Sequence, residues 1–292
     1  MRFKASVNNP IGLHKISQTL EKIGPTVIMS ISQDTVSFIR HRDYETGIQA
    51  WIKMQPHSLF TNYRVENARR GEINMSFRVN DLLLITKKAQ QATDVQIYLK
   101  RKDNRPYISW KLDSENRNGS SCDMIDELEI EIINSDRMAY IREPAMLAMP
   151  HTYILLPNVA VLKPVAERLK SLSKYLTLSA NMNGVFKISI ESTACQCEAI
   201  YERLENPRLE GHQPTQDSNE FAHVRIASED LVSFLSCYHL EPQNVVCAIT
   251  DELQLALYVY LSIDTYQTHE APIQPINTPQ TIMTCHVPVH YE

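Results

Sequence analysis

The chain has 292 residues, of which 43% are hydrophobic and 22% charged, and its formal net charge is −5. This composition is that of a globular protein with one large domain or two domains of ordinary size. No run of about 18 apolar residues occurs, which excludes a transmembrane helix, and the acidic total argues against a nucleic-acid binder unless positive charge is concentrated locally.

Two helices are predicted in the first half of the chain from apolar residues at helical spacing. The first runs over 13–24 and the second over 81–93. Lysines fall on the side of each helix that faces away from the apolar stripe. The stripe residues are Leu13, Ile16, Leu20 and Ile23, then Leu82, Ile85, Ala89 and Ala92, and the lysines are Lys15, Lys22, Lys87 and Lys88.

Between 126 and 133 apolar and polar residues alternate strictly, which predicts one half-buried strand with its glutamates on one face. The segment 134–150 follows, with two prolines and no clear periodicity, and it predicts an ordered connector. This segment is rich in apolar residues for a connector. They either pack the connector down or receive partner proteins, and they include Met138, Tyr140, Ile141, Met146 and Leu147.

Two further helices are predicted over 158–174 and 228–240 by the same apolar spacing. Pro164 would remove one backbone hydrogen bond from the earlier helix or delay its start. The later helix is acidic in its first turn, so it adds no positive charge. The lysines of the earlier helix fall together, roughly opposite its apolar stripe, at Lys163, Lys170 and Lys174.

The two halves of the chain repeat one another. Residues 13–23 align with 162–172 at a constant offset of 149, and the match extends through two strand-like segments. A second match, of 77–79 with 224–226, needs a two-residue insertion. We therefore predict an α+β protein of two similar domains, 1–133 and 151–292, joined by the connector 134–150.

Positive charge is concentrated on the predicted helices. Together the four carry a formal charge of +3, which leaves −8 for the rest of the chain. Lysines that face phosphates without reading bases would give salt-sensitive, sequence-independent contact with DNA. The alternative is that these are ordinary lysines on solvent-exposed helix faces, with no role in binding. The repeat, the matched helices and the charge segregation favour the DNA interpretation.

Motifs for catalysis or cofactor binding are missing from the sequence. None of the patterns G-x-x-x-x-G-K-[ST], G-x-G-x-x-G, H-E-x-x-H and G-x-S-x-G occurs. The six cysteines are scattered without C-x-x-C spacing, and the ten histidines are spread out. We predict no enzymatic activity, no cofactor, no metal and no membrane association.

A series of short segments, in order from the first residues to near the end, carries a resemblance to a known family. They are Met1-Arg-Phe-Lys4, Leu20-Glu-Lys-Ile-Gly24, Lys102-Asp-Asn-Arg-Pro106, Arg142-Glu-Pro144, Leu155-Leu-Pro157, Lys170-Ser-Leu-Ser173, Ser179-Ala-Asn-Met-Asn-Gly184, Leu204-Glu-Asn-Pro207 and Ala256-Leu-Tyr-Val-Tyr260. They resemble the Hus-one subunit family of the heterotrimeric checkpoint clamp, called nine-one-one. The resemblance covers essentially the whole chain.

The resemblance implies the PCNA-like DNA clamp fold, in which two similar domains each pack two helices on antiparallel sheets. It implies one subunit of a ring that encircles DNA at damage sites and serves as a platform for checkpoint signalling and DNA repair. The implied partners are Rad-nine-type and Rad-one-type clamp subunits, double-stranded DNA, an ATP-dependent clamp loader, and checkpoint and repair proteins. The implied location is the nucleus, with a cytoplasmic pool.

The resemblance also implies three sets of site residues. In clamps the connector covers a pocket for partner peptides, which is the role expected of the apolar connector residues named above. The positions facing DNA are Lys15, Lys22, Lys87, Lys88, Lys163, Arg168, Lys170 and Lys174. Edge strands near 123–132 and 194–204 would pair with neighbouring subunits through Asp123, Ile125, Leu128 and Ile130 and through Cys195, Cys197, Ala199 and Tyr201.

Two other interpretations remain open at the level of sequence. A homotrimeric replicative processivity clamp would share the fold and would form a stable ring from this chain alone. A β-rich enzyme or ligand-binding protein with a coincidental duplication would show activity without association with DNA.

Overall fold

A computed structural model describes residues 1–41, 47–66, 71–115, 121–191, 196–207, 217–262 and 281–291. The chain divides into two compact units. The first contains the described parts of Met1–His41, Trp51–Arg142 and Ser262–Thr281, and the second contains those of Arg42–Ala50, Glu143–Leu261 and Ile282–Glu292. Cys195, one of the residues expected at an edge strand, lies outside the described ranges.

The first unit is built from antiparallel sheets and helices. Its strands are β1 Arg2–Val7, β2 Thr26–Ile31, β3 Val36–Arg40, β4 Gln49–Met54, β5 Phe60–Glu66, β6 Ile73–Arg78, β7 Asp94–Lys102, β8 Arg105–Glu115, β9 Ser121–Glu129 and β10 Glu131–Ile133. Its helices are α1 Pro10–Ile23, α2 Val79–Ala89 and α3 Ser135–Tyr140, with a 3-10 turn at Pro56–Ser58. The strand orders are β5-β1-β7-β8-β9 and β10-β6-β2-β3-β4.

The second unit repeats this plan. Its strands are β11 Thr152–Leu155, β12 Tyr175–Ala180, β13 Phe186–Glu191, β14 Gln196–Tyr201, β15 Ala222–Ala227, β16 Asn244–Thr250, β17 Gln254–Leu261 and β18 Thr281–Val287. Its helices are α4 Val159–Leu172 and α5 Ser228–Leu235, followed by a 3-10 turn at Ser236–Leu240. The strand orders are β14-β13-β12-β15 and β18-β17-β16-β11. The predicted α+β class is confirmed.

Each long helix covers a sheet with the apolar stripe that the sequence predicts. Leu13, Ile16 and Leu20 of α1 are buried, as are Leu162 and Leu169 of α4. Burying a side chain of this size contributes about 1.5–3 kcal/mol, so these stripes fix which side of each helix faces solvent. The lysine faces therefore follow from the apolar stripes.

The strand register shows that the offset of 149 also holds between the strand pair β2–β6 and the strand pair β12–β15. Thr26 pairs with Arg78, and Tyr175 pairs with Ala227, so both members of the first pair lie 149 residues before those of the second. The predicted two-residue insertion is therefore wrong. The prediction came from aligning two similar Arg-containing triplets, 77–79 and 224–226. The hydrogen-bonded register instead makes β15 the counterpart of β6 in the repeat, with no insertion.

The strand predicted over 126–133 is two strands in two sheets. β9 ends at Glu129 and pairs with β8, whereas β10 pairs with β6. Between them Ile130 is buried and donates its N–H to the carbonyl of Pro106 at 3.3 Å. The alternation of apolar and polar residues continues through the bend, so the pattern alone could not reveal the change of sheet.

The structure adds one helix and decides between two alternatives for another. The connector contains the short helix α3, which was not predicted from the sequence. The side chain of Asn134 caps it by accepting the N–H of Arg137 at 2.8 Å. In α4 the helix begins at Val159, ahead of Pro164, so this proline removes a backbone hydrogen bond within the helix and does not delay its start.

We expect Gly184→Ala to destabilise the protein by about 2–4 kcal/mol. Gly184 has a φ of +76°, and an added Cβ would lie 2.4 Å from the carbonyl oxygen of Leu204. Gly71→Ala is the matched control, because its φ is +72° and no atom of the described residues lies within 4 Å of the added Cβ. Urea unfolding measures both. Equal losses of unfolding free energy in the two variants would show that the close approach to Leu204 contributes nothing to the destabilisation.

Candidate nucleic-acid interface

Helix α1 is anchored at its first turn by local sequence. The side chain of Asn9 accepts the N–H of Gly12 at 2.8 Å, and Pro10 occupies the first helical position, where its missing N–H costs nothing. Lys22 lies in the last turn, where the helix dipole favours a cation. It is exposed and lies 2.9 Å from Glu21, so part of its charge is compensated locally.

The end of α2 carries two neighbouring lysines with different surroundings. Lys87 and Lys88 are both exposed. The Nζ atom of Lys88 donates to both carboxylate oxygens of Asp126 on β9, at 3.0 and 2.9 Å. Lys87 makes no ion pair within the described residues. Lys88 therefore connects the helix to the sheet, while Lys87 projects its charge into solvent.

A polar contact links α1 to α2. The Nδ1 atom of His14 lies 3.1 Å from the hydroxyl of Thr86. Burial lowers the pKa of His14, and the positive charge of Lys87 lowers it further. The ring is therefore held neutral more strongly than an exposed histidine, which suits a side chain wedged between two helices.

The lysines of α4 lie along the side of the helix that faces α5 and the following turn. Lys163 is only 24% exposed; its Nζ atom lies 4.3 Å from the ring centroid of Tyr238 and 3.9 Å from Glu167. Lys170 lies 3.4 Å from Glu229, in the first turn of α5. The sequence predicted these lysines on the side of α4 opposite its apolar stripe. In the structure they lie closer to the neighbouring helix.

The predicted basic positions fall into two groups by their contacts. One group pairs with carboxylates, which reduces the charge available to a polyanion. It contains Lys22, Lys88, Lys163 and Lys170. A second group of exposed cations contacts no carboxylate within the described ranges, and it contains Lys87, Arg168 and Lys174. Lys174 lies 5.2 Å from the ring of Tyr175, and Lys15 is partly exposed on α1.

β9 forms one edge of the five-stranded sheet. On its core-facing side Leu128 is buried, Asp126 accepts from Lys88, and Met124 is 44% exposed, with no strand beyond it among the described residues. Ile125 points to the other side and is 57% exposed. Leu128 and Ile130, both expected at a subunit contact, are buried in the core of their own unit.

A triad of charges orders the outer side of β9. Asp123 stands directly opposite Asp113 of β8, which by itself would be repulsive. The Nζ atom of Lys111 lies 3.0 Å from Asp113 and 3.1 Å from Asp123. Hydrogen bonds to these two carboxylates raise the pKa of Lys111. The edge strand is therefore held in place by charge pairing as well as by its ladder.

β14 forms the corresponding edge of the four-stranded sheet. It pairs with β13 on one side only. Cys197 and Ala199 stand opposite the buried residues Ile190 and Ile188, yet Cys197 is exposed. Tyr201 is half-buried against Phe186, with ring centroids 6.2 Å apart. At this edge, side chains on the core side of the sheet therefore remain partly or fully exposed to solvent.

The connector is tied to the second unit by its backbone and leaves large side chains in solvent. The buried side chain of Gln254 accepts the N–H of Leu147 at 2.9 Å and donates to the carbonyl of Ala145 at 3.4 Å. Tyr140 is 86% exposed and Leu147 79%. Met138, Ile141 and Met146 are half-buried. No sequence pattern pointed to Gln254 as the anchor of this segment.

In the parts of the chain that the structure describes, no helix is long and apolar enough to span a membrane.

We expect Lys87→Ala to raise the pKa of His14, since it removes the second cause of the depression. The value should stay below that of an exposed histidine, because burial is the larger cause. Because the pKa of His14 is lower in the folded protein than in the unfolded chain, protonation favours unfolding. As the pH falls from the unfolded-state pKa to the folded-state pKa, the variant should therefore lose less stability than the parent protein. Titration of the His14 ring by NMR measures the shift. Lys88→Ala is the control, and an equal shift in both would contradict the assignment to Lys87.

Comparison with known proteins places the chain in a family. The family model described as Hus1-like protein matches residues 1–277. Checkpoint protein hus1 of Schizosaccharomyces pombe is 27% identical, over 93% of this chain and 96% of that protein, and checkpoint protein HUS1 of Homo sapiens is 25% identical, over 86% and 92%.

Solved structures share the fold at lower identity. Proliferating cellular nuclear antigen of Entamoeba histolytica aligns with a TM-score of 0.69 at 10% identity, over 99% of both chains. The same antigen of Thermococcus kodakaraensis aligns with a TM-score of 0.68 at 12% identity, over 99% of this chain and 100% of that one. The fold is therefore that of the sliding clamps, and from the match over 1–277 the chain belongs to the Hus1-like protein family.

Proposed function

We infer that this chain is one subunit of a heterotrimeric ring-shaped sliding clamp that encircles DNA at damage sites and supports checkpoint signalling and repair. The observation that carries the ring is the pair of open sheet edges, β9 and β14, at which core-facing side chains remain exposed. A strand from a neighbouring subunit would cover them. Family membership and the names of the relatives as checkpoint proteins support the checkpoint role.

The acidic side chains at the two edges are paired within their own sheets, so they do not discriminate between copies of this chain and different neighbours. β9 presents Asp123, Glu127 and Glu129 on its outer side, and β14 presents Glu198. Each lies within 3.5 Å of a cation of the same sheet, namely Lys111, Lys100 and Lys102, Arg105 and Lys187. The heterotrimeric composition, with two other clamp-fold subunits of Rad-nine and Rad-one type, is supported by family membership.

Contact with DNA is assigned to the helix faces. Lys87, Arg168 and Lys174 are the described cations best placed to meet phosphates, because no carboxylate compensates them. Such contacts are independent of sequence and weaken with salt. A small number of unpaired cations suits a ring that moves along the duplex, since each contact is weak and readily exchanged.

The connector is proposed as a docking segment for repair and checkpoint proteins. Residues 134–150 form the boundary between the clamp domains 1–133 and 151–292 in this proposal. Tyr140 and Leu147 are the exposed side chains that a partner would contact. Gln254 hydrogen-bonds to the connector backbone and holds it against the sheet. The remaining functions are those of a non-enzymatic nuclear scaffold that an ATP-dependent loader places on DNA.

We expect Ile125→Glu to prevent assembly of the ring, because it places a charge where the partner strand would bury an apolar side chain. Co-expression with the two partner subunits, followed by size-exclusion chromatography with light scattering, measures assembly. Ile11→Glu makes the same change at an exposed residue of α1 and should leave assembly intact. If the Ile125→Glu variant still formed a normal trimer, β9 would not belong to the subunit interface.

Replacing the unpaired cations Lys87, Arg168 and Lys174 by alanine should flatten the salt dependence of DNA binding. If each meets one phosphate, the slope of log K against log salt should fall by about 2–3. Fluorescence anisotropy of the assembled ring with a linear duplex, onto which a ring can thread, measures this slope. The triple variant of Lys22, Lys163 and Lys170 is the control. Equal slopes in the two variants would contradict the division into paired and unpaired cations.

A further inference from the structure

Two cations stand directly opposite each other on the solvent face of the five-stranded sheet. Lys4 of β1 pairs in register with Arg64 of β5. Both side chains are exposed, and within the described residues neither makes an ion pair. Cα atoms of directly opposite residues lie about 4.5–5.5 Å apart, so the like charges repel and this pairing opposes folding.

A β-bulge beside this pair creates it. The register shifts between Lys4 and Ser6, so that one extra residue of β5 lies between Thr61 and Arg64. Asn62, within the bulge, has a φ of +49°, in the left-handed region that asparagine adopts more readily than most other side chains. In an unbroken register Tyr63 would stand opposite Lys4. With the bulge, Tyr63 turns inward and donates to the carbonyl of Ser32 at 2.6 Å, and Arg64 takes the place beside Lys4.

The neighbouring strand extends this arrangement into a row of three donors. Tyr98 of β7 stands opposite Lys4 on its other side and is half-exposed. Arg64, Lys4 and Tyr98 thus lie side by side across three adjacent strands, over about 10 Å. We call these three residues the cationic row.

Carboxylates bound the cationic row on both sides. Glu66 lies 3.9 Å from Arg2, and Glu127 lies 3.5 Å from Lys100 and 3.4 Å from Lys102. The other cations of this face are therefore compensated, while Lys4 and Arg64 are not. The like-charge pair lowers stability, and its place on an exposed surface indicates a site kept for binding.

We propose that the cationic row binds an acidic segment of a partner protein. Two free cations and a phenol hydroxyl match carboxylate side chains that alternate along an extended peptide, since these share one face. A nucleic-acid strand is the alternative occupant, and the oligonucleotide measurement below distinguishes the two. The proposal goes beyond the ring and its contact with DNA, which use other surfaces of the chain.

The test uses the full chain in its assembled ring and a short fluorescein-labelled peptide of alternating glutamate and serine at low salt. The double variant Lys4→Gln and Arg64→Gln should bind about tenfold more weakly, from the loss of two exposed charge contacts. Lys102→Gln removes a compensated cation from the same face and should leave binding unchanged. Equal binding by all three proteins would overturn the proposal, as would an equal loss in the Lys102 variant.

Two further measurements separate binding from structural and nucleic-acid roles. Thermal unfolding of the double variant should show an unchanged or higher Tm, because the repulsion is relieved. A lowered Tm would mean that the pair supports the fold, and it would overturn the proposal. Single-stranded oligothymidine should bind the parent and the double variant equally. If the variant loses the oligonucleotide but keeps the peptide, the site serves nucleic acid and the proposal fails.

Discussion

The register of one strand pair in each unit determines where the second helix of that unit begins. Arg78 ends β6 opposite Thr26, and the next N–H, of Val79, donates to the carbonyl of Pro25. Ala227 and Ser228 make the equivalent contacts with Tyr175 and Lys174. Because α2 and α5 start immediately after a hydrogen-bonded residue, their orientation is fixed by the ladder. The charges on the helix faces inherit that orientation.

The protein compensates much of its helix charge internally. Asp126 takes the charge of Lys88, and Glu229 takes that of Lys170. These exposed pairs contribute little to stability, about 0–1 kcal/mol each, but they subtract from what a phosphate backbone can use. Each unpaired cation that meets a phosphate adds to the salt dependence of binding, so this internal pairing lowers that dependence.

Sequence periodicity predicted the four long helices because each buries one face, as Leu13 and Leu162 show. It could not predict that the strand after Asp126 changes sheet, since Ile130 preserves the alternation through the bend. Nor could it find the partners of the helix lysines: Glu229 lies far along the chain from Lys170 and meets it only after α4 and α5 pack together. Helix α3 had a signal in Asn134, a residue that commonly caps helices.

The two open edges and the cationic row of Arg64, Lys4 and Tyr98 illustrate one physical rule. An arrangement that costs folding free energy persists where something outside the chain relieves it. At β9 and β14 the cost is apolar surface left in water, which a strand from a neighbour would cover. At Lys4 the cost is repulsion, and an acidic segment would relieve it. The sheet edges therefore favour pairing with a neighbouring strand, whereas the row favours an acidic partner that need not belong to a ring.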